Sequence, residues 1–340
     1  MTEGSSKTEP SAGSAGPSTD PSADPDRAGA HRDHGVHRDH SADVAVAAMA
    51  ALGASAPITE AGVPRGFTAG HTLPIRVELA RQWRRRRTKY ALGFMVLLPI
   101  ILAISFAVGG TDDTSGGGSS FVDLAQQSAG NFATVTLFFS ASFLLIVVVS
   151  LFFGDTIASE ASWSSLRYLL AIPVARFRLL RQKLVVAGLL SFAALIILPV
   201  TSWVLGAVLY GAGPLSTPIG ESFTGADTFL RLAIVVGYIA VQLTWVAGLA
   251  FLLSVSTDAP LGAVGGAVLL SILSQILDQI TALGDLRNWL PTHYSFAWTG
   301  AMVDPIRWDD MVRGGFSAMA YAVLFTVLAF LRFRRKDITS

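Results

Sequence analysis

LVVAGLLSFAALIILPVTSWVLGAVLY, residues 184–210, is a run of 27 residues without a single charged side chain. About 20 predominantly apolar residues are enough for a helix to cross the hydrocarbon core of a bilayer. The whole composition agrees with this local feature, because 51% of the chain is hydrophobic and only 14% is charged. The run therefore predicts a transmembrane helix, and the composition predicts an integral membrane protein.

Five further apolar segments are long enough to cross a bilayer. The weakest of them is the fifth span, because Gln275 and Asp278 mark its far end. The predicted fold class is all-α integral membrane, with a six-span domain over residues 90–340. The spans are approximately 90–109, 132–153, 184–210, 229–254, 260–280 and 314–332.

Residues 1–72 are rich in Ser, Ala, Gly, Pro and Asp and contain almost no large apolar side chains, which predicts a disordered cytoplasmic tail. Met49, inside this tail, is an alternative start. The repeat HRDHGVHRDH concentrates histidines beside two aspartates, a composition that can bind Zn or Ni. A polar tail without metal is the interpretation we favour. The histidines are His31, His34, His37 and His40.

The stretch LPIRVELARQWRRRRTKY follows the tail and holds seven basic residues against one Glu. Leu73, Val77, Ala80 and Trp83 fall on one face of a helix, so residues 73–89 are predicted to form a basic helix lying in the membrane interface, in contact with lipid. A nucleic-acid partner is the alternative for such an arginine run. It is rejected because an apolar span follows immediately.

Basic residues are distributed unequally between the loops that connect the spans. With the N-terminus inside, cytoplasmic segments hold sixteen Lys and Arg residues and outer segments hold three, Arg287, Arg307 and Arg313. The positive-inside rule then predicts that both termini and the connection 154–183 face the cytoplasm of a cell membrane. The scarcity of Lys beside abundant Ala and Gly suggests a bacterial genome.

That connection reads GDTIASEASWSSLRYLLAIPVARFRLLRQK from Gly154 to Lys183, and its pattern resembles the cytoplasmic loop of type 2 permeases of ATP-binding-cassette exporters. The usual wording there is Glu, then Gly-Thr-Leu, a Leu pair, Pro-Val-Ser-Arg and Gly-Lys-Leu. This chain departs from it in two serines for Gly-Thr and in Gln182 for Gly, so the match is mainly one of spacing. The matching positions are Glu160, Ser164-Ser165-Leu166, Leu169-Leu170, Pro173-Val174, Arg176 and Lys183-Leu184.

The resemblance implies a permease subunit that exports cargo by alternating access. It implies an elbow helix at 73–89, a coupling helix within 154–183, and short re-entrant helices in the outer segment 281–313. The implied partners are two copies of a separate ATPase subunit, which would bind ATP and Mg, and a second permease copy or a related permease. The residues implied to couple to the ATPase are Glu160, Trp163, Leu166, Leu169, Pro173, Arg176 and Lys183.

The chain itself lacks the residues for ATP hydrolysis. A phosphate-binding loop ends in Gly-Lys, and none of the four lysines follows a glycine, so we predict no enzyme activity and no cofactor on this chain. A non-transporting sensor or scaffold with the same fold is one alternative. An intramembrane hydrolase is a weaker alternative, because it would need a Ser–His pair or paired acids at membrane depth. The only histidine outside the tail 1–72 is His293, in the outer segment.

A few polar or small residues within the spans are candidates for special roles. Gln242 and Gln275 are predicted either to hydrogen-bond neighbouring helices or to line a cargo path. Gly262 and Gly266 have the spacing of a close helix contact, which is compatible with dimerisation or with internal packing. Arg231, with Asp278, lies close to the outer surface, where snorkelling or helix capping is the favoured role.

Overall fold

The computed structural model describes residues 75–109, 121–162, 176–217 and 220–335. The predicted tail 1–72 with its histidines lies outside these residues. So do four of the coupling residues that the resemblance implied, namely Trp163, Leu166, Leu169 and Pro173.

The described residues are mainly helical, with one short hairpin and two 3₁₀ segments. Strands β1 (Leu215–Ser216) and β2 (Ser222–Phe223) pair antiparallel, and the 3₁₀ segments are Thr281–Trp289 and Ala297–Met302. The α-helices are α1 (Ile75–Arg84), α2 (Arg86–Gly109), α3 (Phe121–Ala125), α4 (Ala129–Ala141), α5 (Leu144–Ser162), α6 (Arg176–Tyr210), α7 (Ala226–Gln242), α8 (Thr244–Ser256), α9 (Pro260–Gln279) and α10 (Asp309–Arg335).

Six helical stretches in the described residues are long and apolar enough to cross a membrane, which confirms the prediction of a mainly helical chain with six candidate spans and indicates a multi-pass membrane protein. The fourth stretch consists of α7 and α8, which are joined at Leu243. The stretches are Arg86–Val108, Leu144–Ser162, Phe177–Tyr210, Ala226–Ser256, Pro260–Gln279 and Asp309–Arg335.

The second span differs from its predicted bounds of 132–153. The helix is interrupted at Ser142, and the membrane-length helix α5 extends to Ser162 instead. Before the break, Ser140 Oγ donates to the carbonyl of Thr136 at 2.6 Å, a local bond that tends to bend helices. Gln275 Nε2 on α9 donates to the carbonyl of Ser142 at 2.9 Å, so this carbonyl at the helix interruption is hydrogen-bonded.

Helix α5 is the centre of the bundle. In the apolar 18-residue stretch of α5 that could cross the membrane, 78% of the residues are buried. The corresponding values for α9 and α10 are only 22% and 17%. Leu145, Val149 and Phe152 of α5 belong to the main apolar core together with Phe251 of α8. Movement of α5 would therefore disturb packing throughout the bundle, because protein interiors are close-packed.

Small residues bring α9 close to α5, but not the pair that the sequence singled out. The buried face of α9 consists of Ala263, Ala267, Ser271 and Ser274, while Gly262 is exposed. A Cβ on Gly266 would lie 3.2 Å from Leu253 Cδ1, which is a contact with α8 inside the same chain.

The glycine that permits the closest approach between these helices is on α5. A Cβ on Gly154 would lie 3.0 Å from Cγ2 and 3.2 Å from Cα of Val264 on α9. Such contact leaves no space for a larger side chain unless α9 moves away. Gly154 therefore sets the separation of α5 and α9.

One end of the bundle contains α1 together with the last turns of α5, α8 and α10 and the first turns of α6. The backbone N–H groups of Ile157 and Ala158 donate to Ser254 Oγ at 3.0 and 3.1 Å, which joins α5 to α8. Phe177 of α6 packs against Phe330 of α10 with ring centroids 5.0 Å apart. We call this end the α1 end, and the opposite one, which contains β1 and β2, the hairpin end.

Candidate functional site

A group of charged side chains lies at the α1 end and joins α1 to the spans. It comprises three carboxylates and four cations, which we call the anchor cluster: Glu78, Arg81, Arg85, Arg87, Asp155, Glu160 and Lys183. On α1, positions three and four apart share a face. For this reason Glu78 accepts hydrogen bonds from Arg81 Nη2 at 2.9 Å and from Gln82 Nε2 at 3.1 Å.

The centre of the anchor cluster is the pair formed by Glu160 on α5 and Lys183 on α6. Lys183 Nζ donates to Glu160 Oε1 at 2.5 Å and to Glu78 Oε1 at 3.3 Å. Arg81 Nη2 also donates to Glu160 Oε1. The side chains of Lys183 and Glu160 are only 2% and 3% exposed. Since burying a charge is costly unless it is paired, these contacts fix α1, α5 and α6 to one another.

A second group of contacts surrounds Asp155, one turn further into α5. Arg85 Nη1 donates to Asp155 Oδ2 at 3.1 Å, and Arg87 Nη1 donates to Asp155 Oδ1. Arg85 lies between α1 and α2, and Arg87 lies in the first turn of α2. Asp155 thus holds the junction between α1 and the first span.

The anchor cluster shifts the pKa values of Glu78, Arg81 and Arg85. Burial alone would raise the pKa of Glu78, but Lys183 and Arg81 together with hydrogen bonds hold it below the ordinary value of 4.5. Burial alone would lower the pKa of Arg81, but Glu78 and Glu160 raise it. Burial and then repulsion by Arg87 lower the pKa of Arg85. Glu78 is therefore ionised at neutral pH.

Two of the coupling residues that the resemblance implied, Glu160 and Lys183, are brought together here. They are 23 positions apart in the chain and lie on either side of the segment 163–175, which is outside the described residues. Arg176 begins α6. The Glu160 carboxylate is directed toward α1 and α6, and its direct contact with an ATPase stays a prediction.

Sequence reasoning missed the part that α1 contributes. In the sequence, Glu78, Arg81 and Arg85 stand out only as part of a basic stretch. Glu78 is the one acidic residue among the seven basic residues of that stretch. A single carboxylate in a basic stretch is the signal that could have predicted a buried ion pair. Its partner, Lys183, is 105 positions away.

The two glutamines that were candidates for a cargo path are hydrogen-bonded to backbone carbonyls. Gln242 Nε2 donates to Pro291 at 2.6 Å, beside the junction of α7 and α8, and Gln275 binds Ser142 as described above. Both bonds lie where a helix is interrupted. Each glutamine thus donates to a carbonyl outside the helices, and a role in a cargo path stays a prediction.

Arg231 and Asp278 hold the segment between α9 and α10 at the hairpin end. Arg231 Nη1 donates to the carbonyls of Ala301 and Val303 at 2.7 and 2.8 Å, and its guanidinium lies 3.6 Å from the ring centroid of Phe223. Asp278 Oδ1 lies 2.6 Å from His293 Nδ1. These contacts are structural, with His293 hydrogen-bonded to a carboxylate.

A small cavity lies between α5, α6 and the α7–α8 junction. Its volume is about 160 Å³, and its lining is apolar except for Ser191 and Thr244. Pockets that bind drug-sized molecules usually have volumes of about 300–1,000 Å³. This cavity is therefore too small to hold such a molecule in the described conformation.

The chain belongs to the family described as "Protein of unknown function (DUF2705)", whose model matches residues 95–339. The match begins within α2, so it includes Asp155, Glu160 and Lys183 and excludes α1. A comparison with curated proteins found no match.

Proposed function

We propose that this chain is the membrane permease subunit of an ATP-binding-cassette exporter. In this proposal α1 is the elbow helix, the segment 163–175 carries the coupling helix, and both termini lie in the cytoplasm of a bacterial cell. The observation that supports the proposal most strongly is the buried Glu160–Lys183 pair, which joins the two helices on either side of that segment.

The anchor cluster suits a site where force enters the membrane domain. The segment 163–175 is attached at one end to α5, which ends at Ser162, and at the other to α6, which begins at Arg176. The Glu160–Lys183 pair couples these two helices. Arg81 couples α5 to α1 through Glu160, and Glu78 couples α6 to α1 through Lys183. A push on the segment would move α5 and α6 together instead of separating them.

The energy for transport would come from two copies of a separate ATPase subunit, which bind ATP and Mg. A second permease copy, or a related permease, completes the transporter, and cargo would cross between the two. The low burial of α9 and α10 supports this arrangement, because it leaves apolar faces for lipid or for the second permease. Alternating access would then follow from movement of α5 and α6.

The proposal is tested by site-specific photocrosslinking on the full chain. A photoreactive amino acid at Leu169 should form a crosslink with a protein that contains a phosphate-binding loop, identified by mass spectrometry. The matched control is the same amino acid at Ser216, at the hairpin end, which should form no such crosslink. If the Leu169 variant is inserted normally and captures no ATP-binding protein, the coupling role is refuted and a non-transporting scaffold is favoured.

A further inference from the structure

A groove opens at the α1 end between the last turns of α8 and α10. Its volume is about 660 Å³, within the range of about 300–1,000 Å³ that is usual for ligand pockets. Its walls are mainly apolar, with Leu252 and Leu253 on one side and Leu328 and Leu331 on the other. The groove thus offers an apolar surface several residues long, at the place where two spans end.

Two arginines at the end of α10, Arg332 and Arg335, also line this groove. Within the described parts of the chain, neither guanidinium has an ion-pair or hydrogen-bond partner, in contrast to Arg81, Arg85 and Arg87 of the anchor cluster. The groove therefore combines an apolar wall with two cations that need an anion.

A general preference for basic residues at the cytoplasmic end of a span would also place arginines here. Arg334 satisfies that preference equally well, because it lies in the same last turn of α10. Arg334 does not line the groove, whereas Arg332 and Arg335 do. Replacing each of these arginines therefore distinguishes the effect of positive charge alone from the effect of a position in the groove.

We propose that this groove binds an anionic phospholipid of the adjacent leaflet. The phosphate lies between Arg332 and Arg335, and one acyl chain lies along Leu253 and Leu328. Basic pockets between transmembrane helices are suited to acidic headgroups, and a lipid satisfies the apolar wall as well as the two cations. This inference concerns α8 and α10 and does not depend on the proposed transport function.

The test uses the purified full chain in detergent with two lipids that share dioleoyl chains, phosphatidylglycerol and phosphatidylcholine, and native mass spectrometry to count bound lipids. We expect phosphatidylglycerol to bind more tightly than phosphatidylcholine. At about 1 kcal/mol for each arginine near the membrane surface, Arg332→Gln with Arg335→Gln should weaken phosphatidylglycerol binding about 30-fold. Arg334→Gln, which makes the same type of charge change, should leave it within about twofold of the wild-type value.

A second variant fills the groove without changing any charge. Leu328→Trp should reduce the binding of phosphatidylglycerol and of phosphatidylcholine, because it occupies the place of the acyl chain. The proposal is overturned if Arg334→Gln weakens binding as much as Arg332→Gln with Arg335→Gln does, or if the two lipids bind equally. It is also overturned if Leu328→Trp has no effect, or if an ATPase subunit or a second copy of the chain occupies the groove in place of lipid.

Discussion

Replacing Glu160 by Gln removes the negative charge from the centre of the anchor cluster while keeping the size of the side chain. Lys183 would then keep Glu78 as its charged partner at 3.3 Å, and Arg81 would keep the same carboxylate at 2.9 Å. Two cations would share one carboxylate, and the ammonium of Lys183 would stay inside a site where only 2% of its side chain is exposed.

The size of the effect follows from this loss of pairing. Removing one partner of a buried ion pair typically costs about 3–5 kcal/mol. The lower value applies here, since Glu78 still neutralises part of the charge. An unfolding entropy of about 2.1 cal/mol/K per residue gives about 1.4 °C for each kcal/mol in a chain of 340 residues, so about 3 kcal/mol lowers the Tm by about 4 °C. Lys183→Met alone should have a similar effect, because it leaves Glu160 buried beside Arg81.

The assay is thermal unfolding of the purified full chain in detergent, followed by tryptophan fluorescence. The double variant Glu160→Gln with Lys183→Met should lose less than the sum of the two single losses, by about 1–3 kcal/mol, because the two side chains are in contact. Arg84→Gln is the control: Arg84 is exposed on α1, so its replacement should stay within about 0.5 kcal/mol of the wild type. Additive losses, or a Tm unchanged by Glu160→Gln, would refute the reasoning.

Three further predictions follow from the same structure. Because the pKa of Glu78 is lowered, its stabilising contribution is complete above its ordinary value of 4.5 and is lost as the pH falls through the lowered pKa; Glu78→Gln should remove this acid-dependent step from a plot of Tm against pH. Gly154→Val should destabilise the protein by about 1–3 kcal/mol in thermal unfolding, whereas Gly265→Ala, with open space around it, should not. Since the chain has no cysteine, Ser216→Cys should react with an impermeant reagent on intact cells, while Ser165→Cys should react only after lysis; reversed labelling would contradict the proposed topology.

The six spans could be predicted from the sequence because the length of an apolar run is a local property that a bilayer selects. The break at Ser142 could not, because residues 132–153 form one run without a charged side chain and the donor that satisfies the break, Gln275, is 133 positions away. Likewise, α9 is apolar and small-residue-rich on several faces. Its rotation, which buries Ala263 and leaves Gly262 exposed, is set by contacts with α5 and α8.

The candidate site was predicted in part. The resemblance to type 2 permeases selected Glu160 and Lys183, which the structure places 2.5 Å apart. It did not indicate that they would bind each other, or that Glu78 and Arg81 of α1 would complete the cluster. These partners depend on tertiary packing, because the first turns of α6 and the last turns of α5 must meet at α1 before the charges are buried together.

The central claim is that an ATPase subunit acts on this chain through the segment between α5 and α6. The most direct measurement is purification of the tagged full chain from its own membranes in mild detergent, with quantitative mass spectrometry of its partners and an assay of ATP hydrolysis. We expect one ATPase subunit with a phosphate-binding loop for each copy of the chain, and ATP hydrolysis by the complex. Purification of a folded chain with no ATPase in stoichiometric amounts, and with no ATP hydrolysis, would contradict the account.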